Sequence, residues 1–106
     1  MKGKIYTSVC YACQQVAEKA LKALILSKGR VIQKIHSLDR LISTLKSLKV
    51  NSSKIEREAR ELDKYYITSR YPGQYGGPEG LYNEEDAESA ILAAEKILKF
   101  VVFNLN

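Results

Sequence analysis

The sequence predicts an all-α chain of four helices. Apolar residues recur with a period near 3.6 along most of its length, and the two prolines, which would break a helix, both fall at positions 72 and 78. The periodic segments are separated by residues that start or stop helices. At 106 residues and 12.0 kDa, 45% hydrophobic and 27% charged, there is material for one domain, residues 1–106, and not for two cores.

The first helix is expected over about residues 5–28. Ile5, Val9, Cys13, Val16, Ala20 and Leu24 step by four and three, with Ala17 and Leu21 widening the stripe, so these residues are the expected buried face. Gln15, Glu18, Lys19 and Lys22 are expected toward the opposite side. Gly29 stands where a C-terminal cap is needed, with Lys28 and Arg30 near the negative end of the helix dipole. A second helix, 37–48, opens with Ser37 as cap and carries a seam of Leu38, Leu41, Ile42, Leu45 and Leu48. Ser53 followed by Glu56 has the spacing of a capping box for a third helix, 53–67, whose expected buried stripe is Ile55, Ala59, Leu62 and Tyr66. The fourth helix, 84–104, follows Asn83 and has Glu84, Glu85 and Asp86 in its first turn. Residues 68–82, with four glycines and both prolines, are expected to form an ordered functional loop, because five of the seven tyrosines lie in or beside it.

The formal charge of +5 hides a gradient. Residues 1–34 hold seven bases and one acid, residues 35–64 seven and five, and residues 65–106 three and six. The basic end would favour a polyanion or an acidic protein surface, or self-association with the acidic end. No apolar run reaches the roughly 18 residues that a membrane span needs, and no secretory leader follows the first residues, so a cytoplasmic location without membrane contact is expected. One His and two Cys cannot complete a four-ligand zinc site, and neither a metal nor a cofactor is expected. Cys10 and Cys13 have the spacing of a redox pair, but at i and i+3 they share a helix face, which favours core packing. His36, Ser37 and Asp39 are neighbours in sequence, an arrangement that does not supply the geometry of a nucleophilic triad. Arg70, set among Tyr65, Tyr66 and Tyr71, offers a fork for phosphate beside faces on which a base can stack; a cation-π pin for the loop is the competing reading.

Taken together, Gln14-Gln15-Val16-Ala17-Glu18-Lys19, His36-Ser37-Leu38, Leu62-Asp63-Lys64-Tyr65-Tyr66 through Arg70-Tyr71-Pro72, Gly76-Gly77-Pro78 and Tyr82-Asn83-Glu84-Glu85-Asp86-Ala87 resemble the prokaryotic HEPN domain, in order and over nearly the whole chain. The resemblance implies an up-and-down helical bundle, frequent homodimers, and pairing with a small nucleotidyltransferase in a two-component, toxin-antitoxin-like system. It also implies a nucleotide or RNA ligand. Carried over position by position, the family pattern falls on Gln14, Gln15, Glu18 and Lys19, on His36 and Leu38, and on Arg70, Tyr71 and Pro72. With Lys22, one strip further along the first helix, the candidate binding residues are Gln14, Gln15, Glu18, Lys19, Lys22, His36, Arg70 and Tyr71.

Two departures from the family pattern bear on function. Ribonuclease members carry an Arg followed four to six residues later by a His near the end of the penultimate helix, and Arg70 has no such partner. Arg30 and His36 have the spacing but sit between the first two helices. The chain also begins inside the helix that carries Gln14 and Gln15, so the family's usual first helix is expected to be missing. A nucleotide- or RNA-binding module is therefore favoured over an enzyme. The alternatives are a metal-independent endoribonuclease toxin, in which His36 and Arg70 would be the catalytic pair, and a purely structural dimerisation module.

Overall fold

A computed structural model describes residues 2–31, 34–70 and 82–105, with side chains for 3–31, 34–66 and 82–105. It contains four helices: α1 (Lys2–Ser27), α2 (Leu38–Ser47), α3 (Glu56–Arg70) and α4 (Glu84–Asn104). At about 1.5 Å per residue α1 is roughly 39 Å long, close to the 42 Å long axis of the molecule. It packs against all three other helices, and α3 packs between α2 and α4. α1 and α3 thus share the middle of a four-helix bundle, with α2 and α4 on its flanks.

Side-chain links give the directions. Glu61 of α3 meets Ser89 and Glu58 meets Lys96, while Lys46 of α2 meets Glu56, so α3 runs antiparallel to both flanking helices. Lys28, just past α1, donates to the Asn104 carbonyl at 2.9 Å, so the ends of α1 and α4 share one pole. The segment between α1 and α2 carries the chain back, because His36, just before α2, lies beside Gln14 and Glu18.

Each helix end has a chemical reason. Gly29 adopts φ 87°, and Gly29 N–H to Leu26 and Arg30 N–H to Ile25 close a Schellman turn on α1. α2 ends in the same turn, with Lys49 in the left-handed region at φ 66°. Asn83 and Asp86 form a reciprocal capping box on α4. The box expected at Ser53 and Glu56 is absent: Ser53–Ile55 form a 3₁₀ turn, the Ser53 hydroxyl donates to Asn51, and Glu56 pairs with Lys46. α3 also continues past the expected boundary at residue 67, through Arg70, so residues 68–70 of the expected loop are helical.

The buried residues of α1 are Thr7, Cys10, Gln14, Ala17, Glu18, Leu21, Leu24 and Ile25; Ala17, Leu21 and Leu24 belong to the expected face, and Val9, Cys13 and Ala20 of that face are half-buried against the core. Ile5 (62% exposed) and Val16 (45%) of that stripe face outward, and Glu18 (5%) is buried instead. That stripe follows hydrophobicity alone, whereas α1 also buries Thr7, Gln14 and Glu18, each with a hydrogen-bond partner. On α3, Tyr65 rather than Tyr66 completes the core, and its ring meets Tyr82 edge-on at 4.9 Å. Tyr82 thereby anchors the entry to α4.

Candidate functional site

The buried face of α1 includes Gln14 and Glu18, which stand where the chain enters α2. Gln14 and Glu18 are one helical turn apart, and Gln14 Nε2 donates to Glu18 Oε1 and to the His36 carbonyl, both at 3.2 Å. Lys22, a further turn along, donates to Glu18 Oε2 at 2.8 Å. The Nδ1 of His36 lies 3.0 Å from the same oxygen, and Gln15 donates to Gln14 Oε1 at 2.6 Å. Five of the eight residues expected to bind a ligand thus form one hydrogen-bonded network.

Burial alone would push the Glu18 carboxyl up, but hydrogen bonds from Lys22, His36 and Gln14, with the Lys22 charge, hold it below the usual carboxylate range. Glu18 is therefore an anion at neutral pH, enclosed and paired. It orients His36 through Nδ1, which leaves Nε2 as the ring nitrogen available to a ligand. The His36 ring stacks on Tyr66 at 5.2 Å, with 11° between planes.

Asp63 is a site residue that the sequence does not single out. From α3 it accepts the backbone N–H of Leu38 at 2.6 Å and of Asp39 at 3.0 Å, and the Ser37 hydroxyl at 3.1 Å. It caps α2 from another helix and satisfies amides that the helix leaves open. The local cap, Ser37 to the Arg40 amide, is longer at 3.4 Å. Burial raises the Asp63 carboxyl above its ordinary range, against the three hydrogen bonds. Because Asp63 fixes the first turn of α2, it also fixes His36, the residue before Ser37. Together His36, Ser37, Asp63 and Tyr66 line an open cleft of about 330 Å³. The signal in the sequence is the pair Asp63 and Tyr66, three apart on one face of α3, but their partners, Ser37, Leu38 and Asp39 for Asp63 and His36 for Tyr66, are far away along the chain and carry no local mark.

Lys19 is exposed and makes no hydrogen bond or ion pair among the described residues. Arg70 is the last described residue of α3; its side chain and residues 71–81 of the expected 68–82 loop, Tyr71 among them, lie outside the described residues. Cys10 and Cys13 are free thiols. Burial pushes Cys10 up to about 12, so it is a neutral packing residue. Among the described residues no helix is long and apolar enough to cross a membrane.

Comparison with known proteins agrees with this architecture. The chain is similar to TT1696 of Thermus thermophilus, known from a crystal structure, with a TM-score of 0.80 and 39% identity over 90% of this chain and 76% of that one. It is also 26% identical over 111 residues to a Methanocaldococcus jannaschii protein named "Putative toxin MJ1304", covering 95% of this chain and 73% of that protein. The model of the HEPN domain matches residues 1–105, nearly the full length, and the chain belongs to the HEPN domain family.

Proposed function

We propose that the protein is a nucleotide- or RNA-binding module that works as a homodimer with a small nucleotidyltransferase in a toxin-antitoxin-like pair. The observation that carries the binding reading is the cleft of about 330 Å³ at His36, Ser37, Asp63 and Tyr66, next to the Lys22 ammonium. Its size falls at the lower end of the roughly 300–1,000 Å³ that small-ligand clefts occupy. A histidine ring held between Glu18 and Tyr66 gives a flat surface and a ring nitrogen, while Lys22 supplies positive charge for phosphate, and we assign Arg70 as a second cation from its place in the sequence. Arg70 lies four residues beyond Tyr66 on α3, with Tyr71 following it. The similarity to a protein named as a toxin supports the two-component setting.

Calorimetry with ATP and with a short single-stranded RNA tests the reading. Arg70→Ala and Lys22→Ala should each weaken binding about tenfold, the effect of losing one charge-assisted contact, while leaving helicity unchanged. Equal affinity in the variants and the parent would show that the cluster is a structural junction.

The Glu18–His36 pair favours a second reading. A carboxylate on Nδ1 prepares Nε2 to accept a proton from a ribose 2′-hydroxyl, the first step of metal-independent RNA cleavage. Cleavage of RNA in the presence of EDTA that is lost in His36→Ala would move the assignment from binding to catalysis.

A further inference from the structure

A second pocket lies at the opposite side of α3, where its entry meets the end of α4. Ile55 and Phe100 belong to the core there, with 1% and 9% exposure, whereas Phe103 is 82% exposed. Three lysines, Lys54, Lys96 and Lys99, complete the lining. They are not equivalent. Lys96 is held 3.1 Å from Glu58, a buried carboxylate whose other oxygen has no partner among the described residues. Lys54 and Lys99 make no ion pair or hydrogen bond among the described residues. An apolar pocket is thus flanked by two uncommitted ammonium groups.

The volume is about 230 Å³, below the range usual for drug-sized ligands and sufficient for one large side chain. No amide or hydroxyl side chain lines it, so it has no group suited to reading a base edge. The apolar surface continues past the pocket at Leu92 (66% exposed), on the same helical face as Lys96, Lys99 and Phe103. Exposed apolar surface of this kind, rimmed by charge, marks a protein-protein contact.

We propose that this pocket docks an acidic segment of a partner protein, in which one leucine or phenylalanine enters against Phe103 and flanking carboxylates pair with Lys54 and Lys99. The anchor supplies the buried area, and the charges fix its register and discriminate against basic segments. The surface is separate from the His36 cleft, so the proposal stands whatever ligand that cleft takes.

The test uses the full chain labelled with ¹⁵N and three probes: acetyl-Asp-Glu-Leu-Phe-Glu-Asp-amide, its counterpart with lysines at the acidic positions, and a hexauridylate. The acidic peptide should shift the amide signals of Ile55, Phe100 and Phe103 saturably. Phe103→Ala and Lys99→Glu should each weaken this binding about tenfold, and His36→Ala should leave it unchanged. Both altered side chains are exposed, and unchanged circular dichroism checks that the fold is kept. No saturable shift with the acidic peptide, equal binding of the basic peptide, or undiminished affinity in both variants would overturn the proposal. Shifts of these signals by hexauridylate in place of the acidic peptide would do so as well, and would assign the pocket to nucleic acid.

Discussion

Helix α1 is held by different chemistry on its two sides. Toward α2 and α3 it buries Gln14 and Glu18 and ties them to His36 and Lys22 by directed hydrogen bonds. Toward α4 the contact is made by small and aliphatic side chains, among them Ala87, Ala90, Ala94, Ile97 and Val101. Apolar contact stabilises in proportion to the area removed from water and tolerates small shifts of one helix along another. A buried carboxylate tolerates little, since each misplaced partner leaves charge uncompensated in a medium of low dielectric. The α4 side therefore carries stability, and the α2 side fixes where the functional groups stand.

Substitutions that remove one kind of contact and leave the other test this division. The largest loss is expected on the apolar side. Ile97 is fully buried, and Ile97→Ala should cost about 2–5 kcal/mol in urea unfolding, the range for a large aliphatic residue cut back in a core. On the polar side Asp63→Ala removes the acceptor of two backbone amides and one hydroxyl, and should cost about 2–3 kcal/mol. The two variants should differ in quality as well as size. Ligand affinity per folded molecule should survive Ile97→Ala and fall in Asp63→Ala, because only the second releases the α2 entry and with it His36.

The same contrast explains how much could be read from the sequence. Four helices follow from periodicity, and Asn83 with Asp86 and Gly29 marked helix ends by rules that act within a few residues. The buried face of α1 is legible at Ala17, Leu21 and Leu24 but not at Gln14 and Glu18, which look like surface residues until their partners, up to 22 residues away, are known. Ser53 and Glu56 had the spacing of a cap but lost it to nearer and better partners, Asn51 and Lys46. In the candidate site, Gln14, Gln15, Glu18 and His36 are found through resemblance to a family, and Lys22 through its spacing along the polar strip of α1. Asp63 was missed as a site residue because its role is defined by the chain it caps, and nothing in its own neighbourhood reveals that role.

Titration separates the two carboxylates of the candidate site, Glu18 and Asp63. The folded-state pKa of Glu18 lies below its ordinary value of 4.5, so its contribution is present above that pH and is lost as pH falls through the folded value. Asp63 lies above its ordinary 3.8, so its protonation-linked contribution is present below 3.8 and is lost as pH rises through the folded value, while the hydrogen bonds it accepts remain. Glu18→Gln should accordingly cost about 1–2 kcal/mol at pH 7, with the difference from the parent shrinking below pH 4.5. The pH slope of Asp63→Asn relative to the parent should have the opposite sign. Urea unfolding at pH 3.5, 5 and 7 reads both; parallel slopes would show that the two carboxylates do not play different electrostatic parts.

The smallest effect on stability is expected at the outer edge of the α1–α4 contact, and it bears on assembly. Val16 (45% exposed) and Ile91 (43%) face outward, with Ile5 (62%) further along α1 and Leu98 (37%) further along α4. Lys28 meeting Asn104 and the packing of α1 along α4 set the two helices side by side in the same direction, so Val16 and Ile91 stand at similar heights. Replacing exposed residues of a monomer usually changes unfolding by less than about 0.5 kcal/mol, because no buried contact is removed. If a second copy covers this edge, two lysines introduced on each protomer meet like charge across the twofold axis and are stripped of water there. Val16→Lys combined with Ile91→Lys should then leave the folded chain intact by circular dichroism, yet convert the dimer to monomer in light scattering at micromolar concentration. A dimer that persists with both lysines present would place the contact between copies on another face and leave this edge as ordinary exposed surface.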